Sequence, residues 1–331
     1  MKQNSVYKFM LKLIKDWSVS RAQVFNTCER QYYFKYLLNA RINSRDSFLK
    51  EIGFLKKLTN IPMWKGEIFH SIVAESLQRL KDRKAILPAN WYSKLEEKIN
   101  QEWKFSESKA FREDIKNLDE DGKIALFEHE YNEEIKEQNP GEIFHSIEKW
   151  VNQFVNWVER NNLKQLLQNA KKVWIEPKIY GRNVPGFKVD EIDVIAKVDL
   201  ALVTKDGKFK IFDWKTGNSS LKKMRQFSQA EFQIGVYQLW PHLTLKYSLE
   251  VIEAHLVGFG NNSVQHKIHQ INWEEKEKIL SLIRQNIAQL KRFHNPESGV
   301  EFSLEDFDFA SYESACKSCH FKRLCQKELE I

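Results

Sequence analysis

Three charged side chains, Asp199, Asp213 and Lys215, interrupt two apolar stretches near the middle of the chain. Asp199 lies in Ile-Ala-Lys-Val-Asp-Leu-Ala-Leu-Val, and the other two lie in Phe-Lys-Ile-Phe-Asp-Trp-Lys-Thr-Gly. The β-branched and aromatic residues predict two strands, and Asp206-Gly207 between them predicts a hairpin turn. Because a charge on a buried strand is costly unless it is paired or binds a metal, the hairpin is a candidate functional site.

The register of this hairpin decides whether the three charges meet. A two-residue turn would pair Asp199 with Trp214. A three-residue loop with Gly207 in the left-handed conformation pairs Asp199 with Asp213 instead. Residues two apart on a strand share a face, so only this second register brings Asp199, Asp213 and Lys215 to one face. We therefore predict the three-residue loop.

Two carboxylates on neighbouring strands form an oxygen site suited to Mg²⁺ or Mn²⁺. A lysine beside them can orient a water molecule or stabilise phosphoryl charge. Asp-x-Lys also occurs elsewhere in the chain, but only at Asp213 do apolar strand residues precede it and Thr-Gly follow it. The residues of the hairpin alone leave open a solvent-facing hairpin with scattered charges.

The four cysteines form a second candidate site. Cys28 is near the start of the sequence, and Cys316, Cys319 and Cys325 form a C-x₂-C-x₅-C tail. Such spacing predicts a metal site, and a disulfide framework is not expected in a large intracellular chain. By spacing alone, four thiolates slightly favour structural Zn²⁺ over an iron–sulfur cluster. His320 would be a ligand only if a cysteine were displaced.

Helices are predicted in the part of the chain before the hairpin. Ser18 is the expected N-cap of an amphipathic helix that runs to about Leu38. The heptapeptide Gly-Glu-Ile-Phe-His-Ser-Ile occurs at 66–72, where we expect it to open a helix, and again at 141–147. Either His70 or His145 could therefore belong to a site. Acidic residues dominate between 113 and 148, which predicts a solvated helical face.

The elements around the hairpin are predicted from periodicity. Residues 172–180, which include Glu176, are expected to begin the sheet, and residues 249–259 form another strand. Residues 227–240 and 273–293 are expected to be helical. Gln233 and Tyr237, four residues apart on the first of these helices, share one face.

Charge favours a polyanionic partner. The chain of 331 residues has a formal net charge of +7, and residues 205–225 hold seven basic residues against two Asp. A basic cluster beside a metal site suits a phosphate backbone. The sequence has no apolar run of membrane-spanning length and no signal-peptide pattern in residues 1–15, so we expect a cytoplasmic protein without a membrane partner.

Taken together, these motifs resemble the PD-(D/E)XK nuclease superfamily, and specifically its RecB-type branch. The residues Val-Asp-Leu-Ala-Leu-Val and Phe-Lys-Ile-Phe-Asp-Trp-Lys-Thr-Gly resemble its motifs II and III. Ala196 stands where the usual Gly-x-x-Asp pattern has Gly. The Cys28 segment and the cysteine tail resemble those of the iron–sulfur members, which include AddB-type nucleases and CRISPR-adaptation nucleases. Gly-x-x-x-His and Gln-x-x-x-Tyr motifs like those of this chain also occur in RecB-type nucleases.

The resemblance implies an α/β fold with a restriction-endonuclease-like core, a mixed central sheet flanked by helices, a large helical insertion and a terminus stapled by the cysteine cluster. We expect a single nuclease domain over 1–331. Its parts are N-terminal helices (1–74), the helical insertion (75–170), the catalytic core (171–300) and the cysteine-cluster tail (301–331).

The resemblance also implies an activity, a Mg²⁺- or Mn²⁺-dependent deoxyribonuclease. His70, Asp199, Asp213 and the Trp214 carbonyl would bind the metal, and Lys215 would position the attacking water. Gln233 and Tyr237 would border the DNA and the active site. Cys28, Cys316, Cys319 and Cys325 would bind a [4Fe–4S] cluster, with Zn²⁺ as the alternative.

Substrate and partners follow from the same resemblance. We expect an exonuclease that acts on single-stranded DNA or duplex ends in recombination or repair. The sequence contains no Gly-x₄-Gly-Lys-Ser/Thr motif, so a separate helicase would supply any unwinding. The alternatives are a CRISPR-adaptation nuclease, a nuclease that acts on RNA, and a DNA-binding scaffold with a vestigial site.

Overall fold

The computed structural model describes residues 14–38, 40–113, 115, 118, 122–134, 139–177, 185–217, 229–260, 263–294 and 302–329. Its strands are β1 (Asp16–Trp17), β2 (Lys172–Ile175), β3 (Gly186–Val189), β4 (Ile192–Ile195), β5 (Leu200–Val203), β6 (Phe209–Thr216), β7 (Ile252–Phe259) and β8 (Val264–His269). Its helices are α1 (Val19–Thr27), α2 (Glu29–Tyr32), α3 (Ser47–Leu55), α4 (Ile61–Lys81), α5 (Trp91–Glu107), α6 (Phe127–Tyr131), α7 (Pro140–Arg160), α8 (Leu163–Asn169), α9 (Gln229–Leu243), α10 (Trp273–His294), α11 (Glu313–Lys317) and α12 (Lys322–Leu329).

A five-stranded mixed sheet with strand order β2-β5-β6-β7-β8 forms the centre of the fold. The pairs β2–β5, β5–β6 and β7–β8 are antiparallel, whereas β6 and β7 are parallel. A parallel pair needs a crossover connection, and α9 lies in that connection. The short strands β1, β4 and β3 form a separate sheet in that order.

Helices cover both faces of the central sheet. Phe212 and Trp214 of β6 pack in a cluster with α4, α7 and α8. Phe209 and Ile211, which point to the opposite face, pack in a second cluster with α9 and α10. This alternation follows from the two-residue period of a strand. The prediction of a mixed central sheet flanked by helices is confirmed, and α7, from the expected insertion, packs directly on the sheet.

The hairpin has the predicted register. Leu200 pairs with Phe212, and Val203 pairs with Phe209, so the same register places Asp199 opposite Asp213. Gly207 has a φ of 88°, the left-handed conformation that a three-residue loop requires. The first strand is shorter than predicted, since it begins at Leu200. Ile195, the first residue of the predicted stretch, belongs to β4, which pairs with β3.

Two predicted helices have different bounds. The helix with the first heptapeptide begins at Ile61 rather than at Gly66, because the Asn60 side chain accepts a hydrogen bond from the backbone of Met63 at 2.8 Å and caps it there. Ser18 caps α1 as predicted, but the helix does not continue to Leu38. Its α-helical path breaks at Cys28, where the backbone is extended with φ −162°, and a π-helical turn over Tyr33–Leu37 follows α2.

The C-terminal tail packs against the N-terminal helices. Phe321 stacks on Phe34, with 5.3 Å between ring centroids, and Arg30 donates a hydrogen bond to the Phe307 carbonyl at 3.0 Å. Arg323 forms ion pairs with Glu51 and Glu130. These contacts hold the cysteine-bearing segments together. No helix in the described ranges is long and apolar enough to span a membrane.

Candidate active site

Asp199 is the centre of a polar site at the end of the hairpin remote from its turn. His70 of α4 places its Nδ1 atom 3.3 Å from Asp199 Oδ1. The backbone N–H of Trp214 donates a hydrogen bond to Asp199 Oδ2 at 2.8 Å. The Asp199 carboxylate is therefore fixed between a helix on one face of the sheet and the central strand β6.

Glu176, which the sequence analysis placed on the first strand of the sheet, joins this group. It follows β2, and its N–H donates to the Asp199 carbonyl at 2.9 Å. Its Oε1 atom lies 3.8 Å from His70 Nδ1, and ligand atoms of His70, Glu176 and Asp199 all lie within 4.8 Å of one another. A φ of 34° at Glu176 is unusual for a residue with a side chain.

Asp213 and Lys215 form the second half of the site. The buried Asp213 carboxylate pairs with Lys215 Nζ at 2.8 Å. Lys215 Nζ also donates to Gln233 Oε1 at 3.0 Å, and Gln233 Nε2 donates to the Tyr237 hydroxyl at 2.7 Å. The predicted Gln-x-x-x-Tyr pair on α9 thus holds the lysine from the face of the sheet opposite α4. Asp213 itself lies outside the close group formed by the other acids and His70.

The acids shift the protonation equilibria of the site. Burial raises the pKa of Asp213 to about 6, although Lys215 opposes this shift. Burial and the neighbouring Asp199 also raise the pKa of Glu176. Burial disfavours charge on His70, yet its hydrogen bond to Asp199 and the surrounding carboxylates outweigh this and raise the pKa of the imidazole. Three carboxylates face one lysine, so a cation would relieve their repulsion.

The structure separates the other candidate residues. His145, on α7, has a side chain that is 73% exposed and pairs with Glu148. Of the two histidines in the repeated heptapeptide, His70 is the one that lies beside Asp199 and Glu176. The Trp214 side chain points away from the site and packs on Phe154 and Trp157, which leaves only its backbone at the site.

Of the four described members of the predicted basic cluster, Lys215 lies beside the site, whereas Lys205, Lys208 and Lys210 do not. Lys205 and Lys208 lie at the hairpin turn before β6 begins, whereas Asp213 is the fifth residue of β6. Lys208 and Lys210 both form ion pairs with Glu253 of β7, which offsets one of their two charges. Lys208 precedes Asp213 by only five positions in the sequence. Five residues of extended strand span roughly 17 Å, so the two residues lie far apart in the structure. Lys222, Lys223 and Arg225 lie outside the described residues.

The cysteines surround one cavity. Cys28, Cys316, Cys319 and Cys325 all line a cavity of about 480 Å³. Cys28 sits at the N-terminus of α2, where its sulfur accepts a hydrogen bond from Gln31 N at 3.4 Å. Burial raises the pKa of Cys28, and it raises the pKa of Cys319 to about 12. His320 does not line this cavity, and burial lowers its pKa to about 4.

The sequence matches the profile of the PD-(D/E)XK nuclease superfamily over residues 16–326. The chain therefore belongs to this superfamily, whose restriction-endonuclease-like fold agrees with the mixed sheet and its flanking helices. Membership implies a hydrolytic nuclease, and such nucleases generally use divalent metal ions.

Comparisons with individual proteins add only distant similarities. A presumed exonuclease from Eubacterium rectale is 12% identical, with a TM-score of 0.43 over 98% of this chain and 92% of that chain. The crystal structure of SSO0001 is 14% identical, with a TM-score of 0.29 over 60% of this chain and 78% of that chain. No curated protein matches the sequence.

Proposed function

We propose that this protein is a Mg²⁺- or Mn²⁺-dependent deoxyribonuclease that hydrolyses phosphodiester bonds. One observation carries the proposal. His70, Asp199 and the Asp213–Lys215 pair come from separate segments of the chain and meet at one end of the central sheet. Carboxylates, an imidazole and a lysine in this arrangement suit metal-assisted hydrolysis of a phosphodiester.

The donor atoms fit a hard divalent cation. Asp199, Asp213, His70 and the Trp214 carbonyl would bind the metal, with Glu176 as a further donor. The Asp213 Oδ2 atom is buried and lies 2.8 Å from Lys215 Nζ. Oxygen-rich sites of this kind suit Mg²⁺ and Mn²⁺. When bound, the metal would supply Lewis acidity and a water molecule of lowered pKa.

The residues of the chain itself would position the reactants. Lys215 would hold the attacking water or stabilise charge on the phosphoryl oxygens, because its ammonium group lies beside Asp213 and is partly exposed. Gln233 and Tyr237 would orient Lys215 through the hydrogen bonds described above. Both therefore act as positioning residues that also border the DNA.

We further propose that the substrate is single-stranded DNA or a duplex end, cleaved exonucleolytically during recombination or repair. Cleavage would leave 5′-phosphate and 3′-hydroxyl ends, as in the resembled branch. The absence of a phosphate-binding motor motif from the sequence supports a separate helicase partner. A CRISPR-adaptation role is the alternative within the same branch. The complete set of Asp199, Asp213 and Lys215 argues against a scaffold with a vestigial site.

The activity test uses end-labelled DNA. Purified protein is incubated with single-stranded DNA, blunt duplex DNA and matched RNA, with Mg²⁺, Mn²⁺ or a chelator. We expect metal-dependent degradation of DNA by the wild type and by Asp193→Ala, whose carboxylate is exposed on β4, but none by Asp213→Ala. Binding of DNA without cleavage by the wild type would support the scaffold, and cleavage of RNA alone would correct the substrate.

For the cysteine cavity we propose a [4Fe–4S] cluster. In the described ranges no three of the four sulfur atoms lie within 4.8 Å of one another. A tetrahedral Zn²⁺ site with Zn–S bonds of about 2.3 Å would hold its sulfurs about 3.8 Å apart. In a [4Fe–4S] cluster each thiolate binds a different iron, which suits the wider spacing. Cysteines that bind a cluster as thiolates also suit a reducing compartment such as the cytoplasm.

Metal analysis tests this assignment. Protein purified without oxygen should contain iron and acid-labile sulfide and absorb visible light. Cys319→Ser should lose both, and Ser318→Ala, at the neighbouring position, should keep both. A stoichiometric zinc content without sulfide would show the alternative instead.

A further inference from the structure

A second cavity, of about 450 Å³, lies between α1, the start of α9 and the middle of α10. We name it the amide groove, because amide side chains dominate the described residues that line it: Gln23, Asn26, Gln229, Gln285, Asn286 and Gln289. Asn and Gln together account for only 40 of the 331 residues of the chain. The lining is therefore strongly enriched in side chains that both donate and accept hydrogen bonds.

Helical periodicity places these side chains on facing stripes. The α1 residues Val19, Ala22, Gln23 and Asn26 have the spacing of one helix face, as have Leu282, Gln285, Asn286 and Gln289 of α10. Residues at this spacing in a helix of a globular protein usually form an apolar stripe that faces the core. Here two of the four α1 residues and three of the four α10 residues are amides that line a cavity, so these two faces are not apolar stripes packed in the core.

The floor of the amide groove is fixed by hydrogen bonds. Trp17 Nε1 donates to Asn286 Oδ1 at 2.8 Å, and Asn286 Nδ2 donates to Asn26 Oδ1 at 3.2 Å. Asn286 is buried, with 7% of its surface exposed. Phe232 of α9 meets the edge of Trp17, with 6.4 Å between ring centroids. Trp17 is buried, so the half-buried ring of Phe232 is the aromatic surface beside this fixed amide network. A network fixed in this way needs little reorganisation to accept a planar polar ligand.

The chemistry of the lining indicates the class of ligand. None of the described residues that line the groove is charged, although 29% of the residues in the chain are. The lining offers no cationic side chain to a phosphate or carboxylate and no carboxylate to a metal ion. Amides paired with an aromatic wall match a nucleobase, whose edge carries donors and acceptors and whose faces are apolar.

The groove is close to the proposed catalytic centre. Gln229, which lines the groove, precedes Gln233, the partner of Lys215, by four residues on the same face of α9. Four residues of α-helix span about 6 Å along the axis. Successive stacked nucleotides in one strand are about 3.4 Å apart along the axis, so this distance corresponds to about two nucleotides.

We propose that the amide groove binds a nucleobase of the DNA strand, about two nucleotides from the bond that is cleaved. This inference rests on the proposed nuclease function. It adds a position at which the strand is held by a base rather than by a phosphate.

A binding experiment separates the groove from the chemistry. Fluorescence anisotropy measures the affinity of Asp213→Asn protein for a series of labelled single strands, each with one abasic site at a different position. The series is repeated in the Gln285→Ala/Gln289→Ala background, which truncates two exposed amides, and in the Gln101→Ala background, which removes an exposed amide on α5. We expect one abasic position to weaken binding by about tenfold in the parent and in Gln101→Ala, because the hydrogen bonds of one base are lost.

The double variant distinguishes the outcomes. It should bind the intact strand about tenfold more weakly and show no further loss at that abasic position. Equal weakening of every strand, the abasic ones included, would indicate a backbone contact and overturn the proposal, as would unchanged binding. Cleavage by the wild-type protein, which keeps Asp213, is measured in parallel. Cleavage without the positional effect refutes only the groove, whereas the positional effect without cleavage refutes only the nuclease activity.

Discussion

A substitution at Gln233 is the most specific way to change the surroundings of Lys215, the proposed catalytic lysine. Its Oε1 atom accepts a hydrogen bond from Lys215 at 3.0 Å, while Asp213 pairs with the same ammonium group at 2.8 Å. Gln233→Leu removes the first contact and leaves the second. The lysine therefore keeps its charge and its ion pair but loses one of the two groups that fix its direction.

The expected loss of cleavage rate follows from the type of hydrogen bond that is removed and from the solvent exposure of Lys215. A hydrogen bond to a charged group contributes about 1.5–3 kcal/mol. The lower end applies here, because 34% of the Lys215 side chain is exposed to solvent. About 1.5 kcal/mol corresponds to roughly a tenfold change in rate. We expect Gln233→Leu to lower the single-turnover rate of DNA cleavage by about tenfold, with the metal concentration for half-maximal rate unchanged.

Two further variants test whether the effect passes through the lysine. Gln233→Glu keeps an acceptor for Lys215 and should recover most of the rate. Tyr237→Phe removes only the group to which Gln233 Nε2 donates, so its loss should be smaller than that of Gln233→Leu. Wild-type cleavage by Gln233→Leu, or an equal loss in Gln233→Leu and Gln233→Glu, would refute the positioning role.

Three further predictions concern the metal, the cluster and stability. Glu176→Gln should weaken Mn²⁺ binding by about tenfold, because it removes one carboxylate from the group around His70; unchanged affinity in a Mn²⁺ titration would show that Glu176 is not a ligand. Cys28→Ala should remove iron and lower the melting temperature, because the cluster would tie Cys28 to the tail; an unchanged melting temperature would indicate that other contacts hold the tail. Burial lowers the pKa of His255 to about 3, so the unfolded chain takes up a proton below pH 6.5 that the folded protein does not, and stability falls as the pH falls. Between pH 7.5 and 5 the free energy of unfolding should fall by about 2 kcal/mol because of this proton. In urea unfolding, His255→Phe should remove this pH dependence, whereas His145→Phe, at an exposed site, should keep it. An unchanged pH dependence in His255→Phe would contradict the assignment.

Local chemistry made part of the fold predictable from sequence. Asp206-Gly207 supplies the left-handed residue that a three-residue loop needs, and the register of the hairpin followed from it. The helix with Gln233 and Tyr237 was predictable because their spacing is that of one helix face. The family resemblance, rather than periodicity, favoured His70 over His145.

Other features depend on contacts that periodicity does not encode. Glu176 joins His70 only because β2 pairs with β5 beside Asp199. The hairpin of β3 and β4 turns at Asp190-Glu191, where both residues have positive φ, so the usual Gly or Asn signal is missing.

The break at Cys28 and the separation of the basic residues were also not predictable. The helix ends where Cys28 adopts an extended backbone, next to tail residues almost three hundred positions away. Lys205 and Lys208 are close to Asp213 in sequence but lie at the hairpin turn, because an extended strand separates successive residues by about 3.3 Å.

The central claim is that the acids around Asp199 form a metal site that carries out cleavage. The most direct test follows Mn²⁺ uptake by electron paramagnetic resonance and DNA cleavage in the same sample, for the wild type and Asp199→Asn. We predict that the wild type takes up about one Mn²⁺ or more per chain and cleaves, and that Asp199→Asn does neither. Full Mn²⁺ uptake and cleavage by Asp199→Asn would contradict the account.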